Sequence, residues 1–246
     1  PEGDAITTVQ AAVDAGMTFI DTAESYRTSE ALIGRALDGR RDEIFLATKL
    51  SGDHTPEHLA RAIDNSLRAL RTDYIDLYQL HGPRAEPPID QTMDRLLRLR
   101  DAGKIRYIGV SNFSAEQIRE AVKHGPIHSS QPVYNMLVRG AEEDRLPCCL
   151  EHGIGEIPHS VLAKGLLGGR YKPGLVLPPD DERVTWPAFH GESFRRTYEV
   201  TERLKGWAAD HGRDLVQLAV AWPVAHPAVY TSIVGARRAE DINTLA

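Results

Sequence analysis

Four side chains that could together polarise and protonate a carbonyl sit at or just beyond the ends of short apolar runs. Asp21 opens the segment Asp21-Thr-Ala-Glu-Ser-Tyr26, so a carboxylate at a strand end is followed in the next loop by a phenol. Lys49 ends the run Ile44-Phe-Leu-Ala-Thr-Lys49, and His81 ends Ile75-Asp-Leu-Tyr-Gln-Leu-His81. A buried ammonium beside a phenol favours the phenolate and lowers the phenol pKa, while Asp21 would keep the lysine charged and oriented. Such a phenol is a usable acid near neutral pH, and His81 can donate a hydrogen bond that orients a carbonyl oxygen or assists proton transfer. Singly, a strand-end Asp is a common helix cap, a Tyr a rim residue and a His a satisfied core residue. Lys49 differs, because a lysine closing an apolar strand is costly to bury unless it is paired or functional. The set describes carbonyl polarisation and protonation, with the reductant still to be supplied.

The elements that must position these residues alternate. Short apolar runs at Thr18–Thr22, Ile44–Lys49, Ile75–His81, Tyr107–Asn112, Ser130–Tyr134, Gly155–His159 and Ser232–Ala236 read as buried strands. Between them, helical spacing marks Ile6–Ala15, Ser29–Leu37, Glu57–Leu70, Gln91–Arg100, Ala115–Val122, Glu142–Glu151 and Phe194–Ala209. Thr55 before Pro56, and Ser114 with Gln117 three residues on, are helix-start signals; Gly16, Gly103, Gly125 and Gly153 fall where helices should stop. Repeated alternation of this kind predicts a parallel sheet covered by helices. Asp21, Lys49, His81, Asn112 and Gln131 lie at or near the C-terminal ends of different strands, where a (β/α)8 TIM barrel collects its chemistry. An open sheet would concentrate ligand contacts at one switch point, and no GxGxxG or GxxxxGK[ST] pattern occurs. The barrel is the expected fold, as one domain over residues 1–246. The irregular stretch from Lys172 to Glu192 reads as a lid or binding loop.

Composition narrows the function classes. The chain has 246 residues, and its net charge of −6 disfavours nucleic acid or an anionic membrane surface as the main partner, leaving small molecules. No apolar stretch approaches the length of a membrane span. The only cysteines, Cys148 and Cys149, are adjacent, which suits neither a disulfide framework nor a zinc site and points to a reducing, cytoplasmic location. His54 and His58, with Pro56 between them and no third ligand in view, read as surface histidines. Glu142-Glu143-Asp144 reads as a solvated helix N-terminus.

As an ordered set, Asp21–Tyr26, Ser29-Glu-Ala-Leu-Ile-Gly34, Ala47-Thr-Lys49, Leu80-His81 and Gly103-Lys-Ile-Arg-Tyr-Ile-Gly-Val-Ser-Asn-Phe113 resemble the signature segments of the aldo-keto reductase superfamily. The resemblance runs from about Ala5 to the last residue. It implies a (β/α)8 barrel that binds NADP(H) in extended form and transfers a hydride to an aldehyde or ketone. It further implies Tyr26 as general acid, Lys49 and Asp21 as the groups that tune it, and His81 as the group orienting the carbonyl. Ser111, Asn112 and Gln131 match the nicotinamide carboxamide positions, where side-chain amides supply both donor and acceptor. The stretch from Ser160 through Leu162, Lys164 and Gly165 to Arg170 is similar to the pyrophosphate segment. Gly235, Arg237 and Arg238 are similar to the adenosine-phosphate loop, where guanidinium suits a 2′-phosphate.

Four positions depart from the family pattern. His159 stands where an aromatic ring commonly stacks on the nicotinamide. Arg27 stands where glycine is common. Asp241 and Leu245 replace the expected Gln and Asn adenosine contacts. Competing functions are a cofactor-binding regulatory or scaffold subunit and a Schiff-base aldolase acting through Lys49; a glycosidase lacks its second strand-end carboxylate. The oligomeric state and the carbonyl substrate are open. The chain opens on Pro1, and its seven candidate strands suggest a barrel lacking its first strand and C-terminal helices.

Overall fold

Parallel neighbours need a connection long enough to hold a helix, and the chain supplies one at almost every turn. The computed structural model describes residues 2–236 and 238–245. Strands β1 (Phe19–Asp21), β2 (Phe45–Leu50), β3 (Ile75–Leu80), β4 (Ile105–Ser111), β5 (Ser129–Gln131) and β6 (Gly155–Glu156) form one parallel sheet in sequence order. Helix α1 (Glu2–Asp14) precedes it; α2 (Ser29–Ala36), α3 (Pro56–Leu70), α4 (Ile89–Asp101), α5 (Ala115–Ala121) and α6 (Arg145–His152) lie between strands. Helices α7 (Gly191–Asp210), α8 (Leu215–Val224) and α9 (Ala239–Leu245) follow. Both helix starts read from sequence form as caps: Thr55 Oγ1 accepts from His58 N at 3.3 Å, and Ser114 and Gln117 exchange reciprocal bonds.

The sheet curls into part of a barrel. Gln131 on β5 donates to Asp21 on β1 across 3.0 Å, although the two strands are not neighbours in the sheet. The register places Asp21 opposite Ala47, Lys49 opposite Gln79, and Ser111 opposite Gln131. Because side chains alternate across a strand, one inward row on each strand runs from an apolar floor to a polar mouth. The floor packs Ala47, Leu77 and Ile157 with Phe19 and Phe45, whose rings stack at 5.4 Å. Gly109 is the inward residue below Ser111, and a Cβ there would lie 2.3 Å from Ser129 Oγ and 2.9 Å from Gln79 Cγ. Its missing side chain is the space that Gln79 uses. The outward rows, among them Leu46, Leu50, Tyr78, Leu80, Ile108 and Val110, bury against the helices in the main core.

The expected seventh strand, Ser232–Ala236, does not join the sheet. The chain there meets the β6 segment through a bridge between Val229 and Glu156 and through Ile233 N donating to Pro158 O. Prolines explain why pairing thins here: Pro132 and Pro158 lack the N–H a ladder needs, so β5 and β6 stop short of the ranges expected from sequence. His54, expected at the surface, is 3% exposed.

Glu156 is fully buried on the outer side of β6, toward Cys149 of α6. Burial pushes its carboxyl up to about 7, against the pull of Cys149, Arg145 and Ser130. An acid with a raised folded-state pKa stabilises the fold fully below its unfolded value and progressively less as pH rises through 7. Glu156→Gln is therefore expected to match the parent at about pH 4 and to exceed its unfolding free energy at about pH 8 by up to about 3 kcal/mol in urea titrations. Equal stability at pH 8 would remove the buried carboxylate as the cause.

Candidate active site

The mouth of the barrel is organised around Asp21. Lys49, 1% exposed, bonds to Asp21 Oδ2 and donates to Thr22 O at 2.8 Å. Asp21 Oδ1 accepts from Gln79 Nε2 and from Gln131 Nε2, each at 3.0 Å, and Gln131 also donates to Gln79 Oε1 at 3.2 Å. One carboxylate thus gathers donors from three strands. Gln79 was not singled out from sequence; its signal was parity, since it lies on β3 two residues before His81 and so shares its face.

Tyr26 and His81 stand over this cluster. Tyr26 OH lies 3.4 Å from His81 Nε2, the two rings meeting edge to face at 5.5 Å. Lys49 Nζ is 5.4 Å from the centre of the Tyr26 ring. The expectation that Lys49 lowers the Tyr26 pKa is not met: burial, then the Asp21 charge, raise it. Asp21 offsets the ammonium that was to act on the phenol, and the lysine's donors turn to Asp21 and Thr22 O. The phenol therefore keeps its proton at neutral pH. The His81 pKa is lowered, first by burial and then by the Lys49 charge, so its ring is neutral there. Its Nδ1 lies 2.7 Å from Ser51 Oγ, another contact that sequence reading missed.

Beside them, Asn112 holds a left-handed backbone (φ 61), a conformation that asparagine tolerates better than most residues. Its Nδ2 donates to His81 O and Ser111 Oγ, both at 3.1 Å, and Ser111 Oγ donates to Gln131 O at 3.0 Å. His159 Nε2 lies 3.2 Å from Asn112 Oδ1 and its Nδ1 lies 2.9 Å from Ser160 Oγ. Burial, then Lys49, push the His159 pKa down to about 4, so this ring is also neutral.

From Ser160 onward the chain lines a cavity of about 840 Å³, a size typical of small-molecule and cofactor sites. Ser160, Leu162, Lys164, Gly165, Arg170, Gly235 and Asp241 all line it, so the positions read from three separate sequence segments meet at one place. Ser160, Ala163 and Lys164 all have positive φ, strain of a kind that concentrates where a ligand is clamped. Arg238 is exposed, and its backbone N donates to Asp241 Oδ2 at 3.2 Å. Arg237 lies outside the described residues.

The stretch 172–192 crosses this cavity as a strap. It is not structureless: it folds into two 3-10 turns, Glu182–Thr185 and Pro187–Phe189. Phe189 is buried with Leu166 and Phe194 and pins the strap, whereas Trp186 is 42% exposed. Glu182 pairs with Lys164 at 2.9 Å, and Arg183 bonds to the Tyr171 hydroxyl and to Asp181. Among the described residues no group of three or more His, Cys, Asp or Glu could hold a metal, and no helix is long and apolar enough to cross a membrane.

Comparison with known proteins places this arrangement. The sequence model of the Aldo/keto reductase family matches residues 1–246. An aldo-keto reductase of Bacillus subtilis is 37% identical over 100% of this chain and 78% of its own length. The structure of the glycerol dehydrogenase of Gluconobacter oxydans superposes with a TM-score of 0.94 at 32% identity, covering 100% of this chain and 80% of that one. An aldo/keto reductase from Klebsiella pneumoniae, solved in complex with NADP and acetate, gives 0.80 at 30% identity over 99% and 78% of the two chains.

Proposed function

Because the chain belongs to the aldo/keto reductase family, we propose that it is an NADP(H)-dependent oxidoreductase that reduces an aldehyde or ketone to the alcohol, with Tyr26 as the proton donor. The observation that carries this reading is the convergence of Asp21, Lys49, Tyr26 and His81 at the barrel mouth, which His159 links through Asn112 and Ser160 to a cavity lined by the pyrophosphate-like and adenosine-like segments.

The residues present fit a dinucleotide phosphate. Lys164 and Arg170 supply cations along the cavity, and Ser111, Asn112 and Gln131 carry amide and hydroxyl groups at the barrel mouth beside His81 that suit a carboxamide. NADPH, when bound, supplies the hydride. His81 orients the carbonyl oxygen, and the phenol of Tyr26, protonated at neutral pH, gives its proton to that oxygen. Lys49, locked to Asp21 beneath the Tyr26 ring, forms with that carboxylate a fixed dipole under the site where negative charge develops on oxygen. The same ion pair argues against an aldolase, since an ammonium held this way is not a free amine nucleophile.

Loss of NADPH absorbance with a panel of aldehydes and ketones tests the reading; a chain that turns over none of them with either NADPH or NADH would not be this enzyme. For a substrate that is turned over, kcat/KM for reduction is expected to be flat between about pH 6.5 and about pH 10, the ordinary imidazole and phenol values. The His81 shift is downward, so protonation of its ring reduces activity only below that window; the Tyr26 shift is upward, so loss of its proton reduces activity only above it. An alkaline limb near pH 8 would mean that another group is the acid. Arg238→Ala is expected to weaken NADPH about tenfold relative to NADH. An unchanged ratio would move the 2′-phosphate site elsewhere.

A further inference from the structure

Ser51, immediately after β2, is held more tightly than a surface serine needs to be. Its backbone N donates to Glu24 Oε1 at 2.7 Å, and its carbonyl accepts from His58 Nε2 at 2.9 Å. His58 also reaches Glu24 Oε1 at 3.0 Å, so two side chains grip the backbone on both sides of one residue. Burial works against a charge on His58, yet its bonds to Glu24 and Ser51 O and the Glu24 charge outweigh that and raise its pKa, which strengthens the grip. The helix that carries His58 is itself fixed by the Thr55 cap.

This grip aims a hydroxyl. Ser51 Oγ sits 2.7 Å from His81 Nδ1 and 3.0 Å from Ser25 Oγ. A neutral imidazole carries one N–H, and the bond made at one nitrogen decides which of the two has it. If Ser51 donates to Nδ1, the ring proton stays on Nε2, the nitrogen facing Tyr26. If Ser51 donates to Ser25 instead, Nδ1 must donate to Ser51, and Nε2 becomes a lone pair competing for the Tyr26 proton. A separation of 2.7 Å is the usual length of a hydroxyl-donated bond and short for one donated by N–H. Ser25 is exposed, so it can donate to Ser51 and take its own bonds from solvent.

We propose that Ser51, clamped by Glu24 and His58, is a positioning residue that donates to His81 Nδ1 and so keeps the His81 proton on Nε2. Nε2–H then points at the carbonyl oxygen, and the Tyr26 proton remains available for transfer. This rests on the carbonyl-reductase reading for its effect on turnover, but not for its effect on the histidine.

The test is nitrogen-15 NMR of the histidine-labelled protein, with the His81 signals assigned by their loss in His81→Asn, alongside NADPH oxidation. The parent is expected to show a protonated Nε2 and a bare Nδ1. Ser51→Ala is expected to shift proton density toward Nδ1 and to lower kcat/KM about ten- to a hundredfold, the usual effect of losing a partner that orients an imidazole, with NADPH affinity unchanged. Ser51→Thr keeps the hydroxyl and is expected to restore both readings. A bare Nε2 in the parent overturns the proposal without any variant. So does Ser51→Ala with unchanged His81 shifts, or with shifted signals and turnover within twofold, or a Thr variant that restores neither. If the parent reduces no carbonyl, the functional reading falls, and the His81 signals still decide whether Ser51 sets the tautomer.

Discussion

Replacing Tyr26 with phenylalanine is expected to lower NADPH-dependent reduction about a thousandfold, some 4 kcal/mol of transition-state free energy, within the range of a positioned general acid. The substitution removes one oxygen and little else. The ring keeps its edge contact with His81 and its place above Lys49. Tyr26 is 46% exposed, so no buried partner is stranded and the unfolding free energy is expected to stay within about 0.5 kcal/mol of the parent. NADPH affinity, measured by fluorescence quenching, is expected to be unchanged. A variant that binds cofactor normally and fails to reduce isolates the proton; equal turnover by the two proteins would mean that another group gives it.

Lys49→Met is expected to abolish measurable turnover and also to damage the fold, which distinguishes it from the tyrosine variant. The pair it breaks has side chains only 1% and 9% exposed, so Asp21 would be left as a buried carboxylate facing two amide donors. Stranding one member of a buried ion pair costs about 3–5 kcal/mol, which in a chain of this length lowers the melting temperature by about 10 °C. Adding Asp21→Asn removes the stranded charge. The double variant is therefore expected to recover most of the stability and none of the activity, whereas additive losses would show that the two residues do not act as a pair. Thermal unfolding of the single and double variants, with NADPH oxidation on the same samples, reads both effects.

Much of this was legible because barrels write their chemistry at strand ends. The six strands follow from short apolar runs, and the site follows from which residues close them; Asp21, Lys49, Ser111 and Gln131 are ladder positions whose inward direction is set by alternation. What the residues could not show was curvature, and with it the partner of each polar group. Gln79 reads as an ordinary strand residue until the sheet curls and brings it to Asp21. Ser51 reads as a loop serine until His58 reaches back from α3. The direction of the Tyr26 shift was missed for the same reason, since it depends on how completely Asp21 takes up the lysine. Helix α8 escaped notice because Leu215-Val-Gln-Leu-Ala-Val-Ala-Trp-Pro-Val224 is apolar nearly all round and shows no polar face, although the reciprocal cap between Asp214 and Gln217 announced its start.

The carboxylate of Asp21 ties β1 to β5 across the barrel mouth while it holds the lysine, so one side chain serves both the shape of the wall and the chemistry inside it. Such a position is closed to evolutionary drift, because a change there loses stability and turnover together. Adaptation to a new substrate has to come from segments that carry neither duty: the turn after His81, the loop that begins at Phe113 and the strap at 172–192. A library randomised on those loops, over an untouched set of inward strand residues, is where altered carbonyl preference would be found.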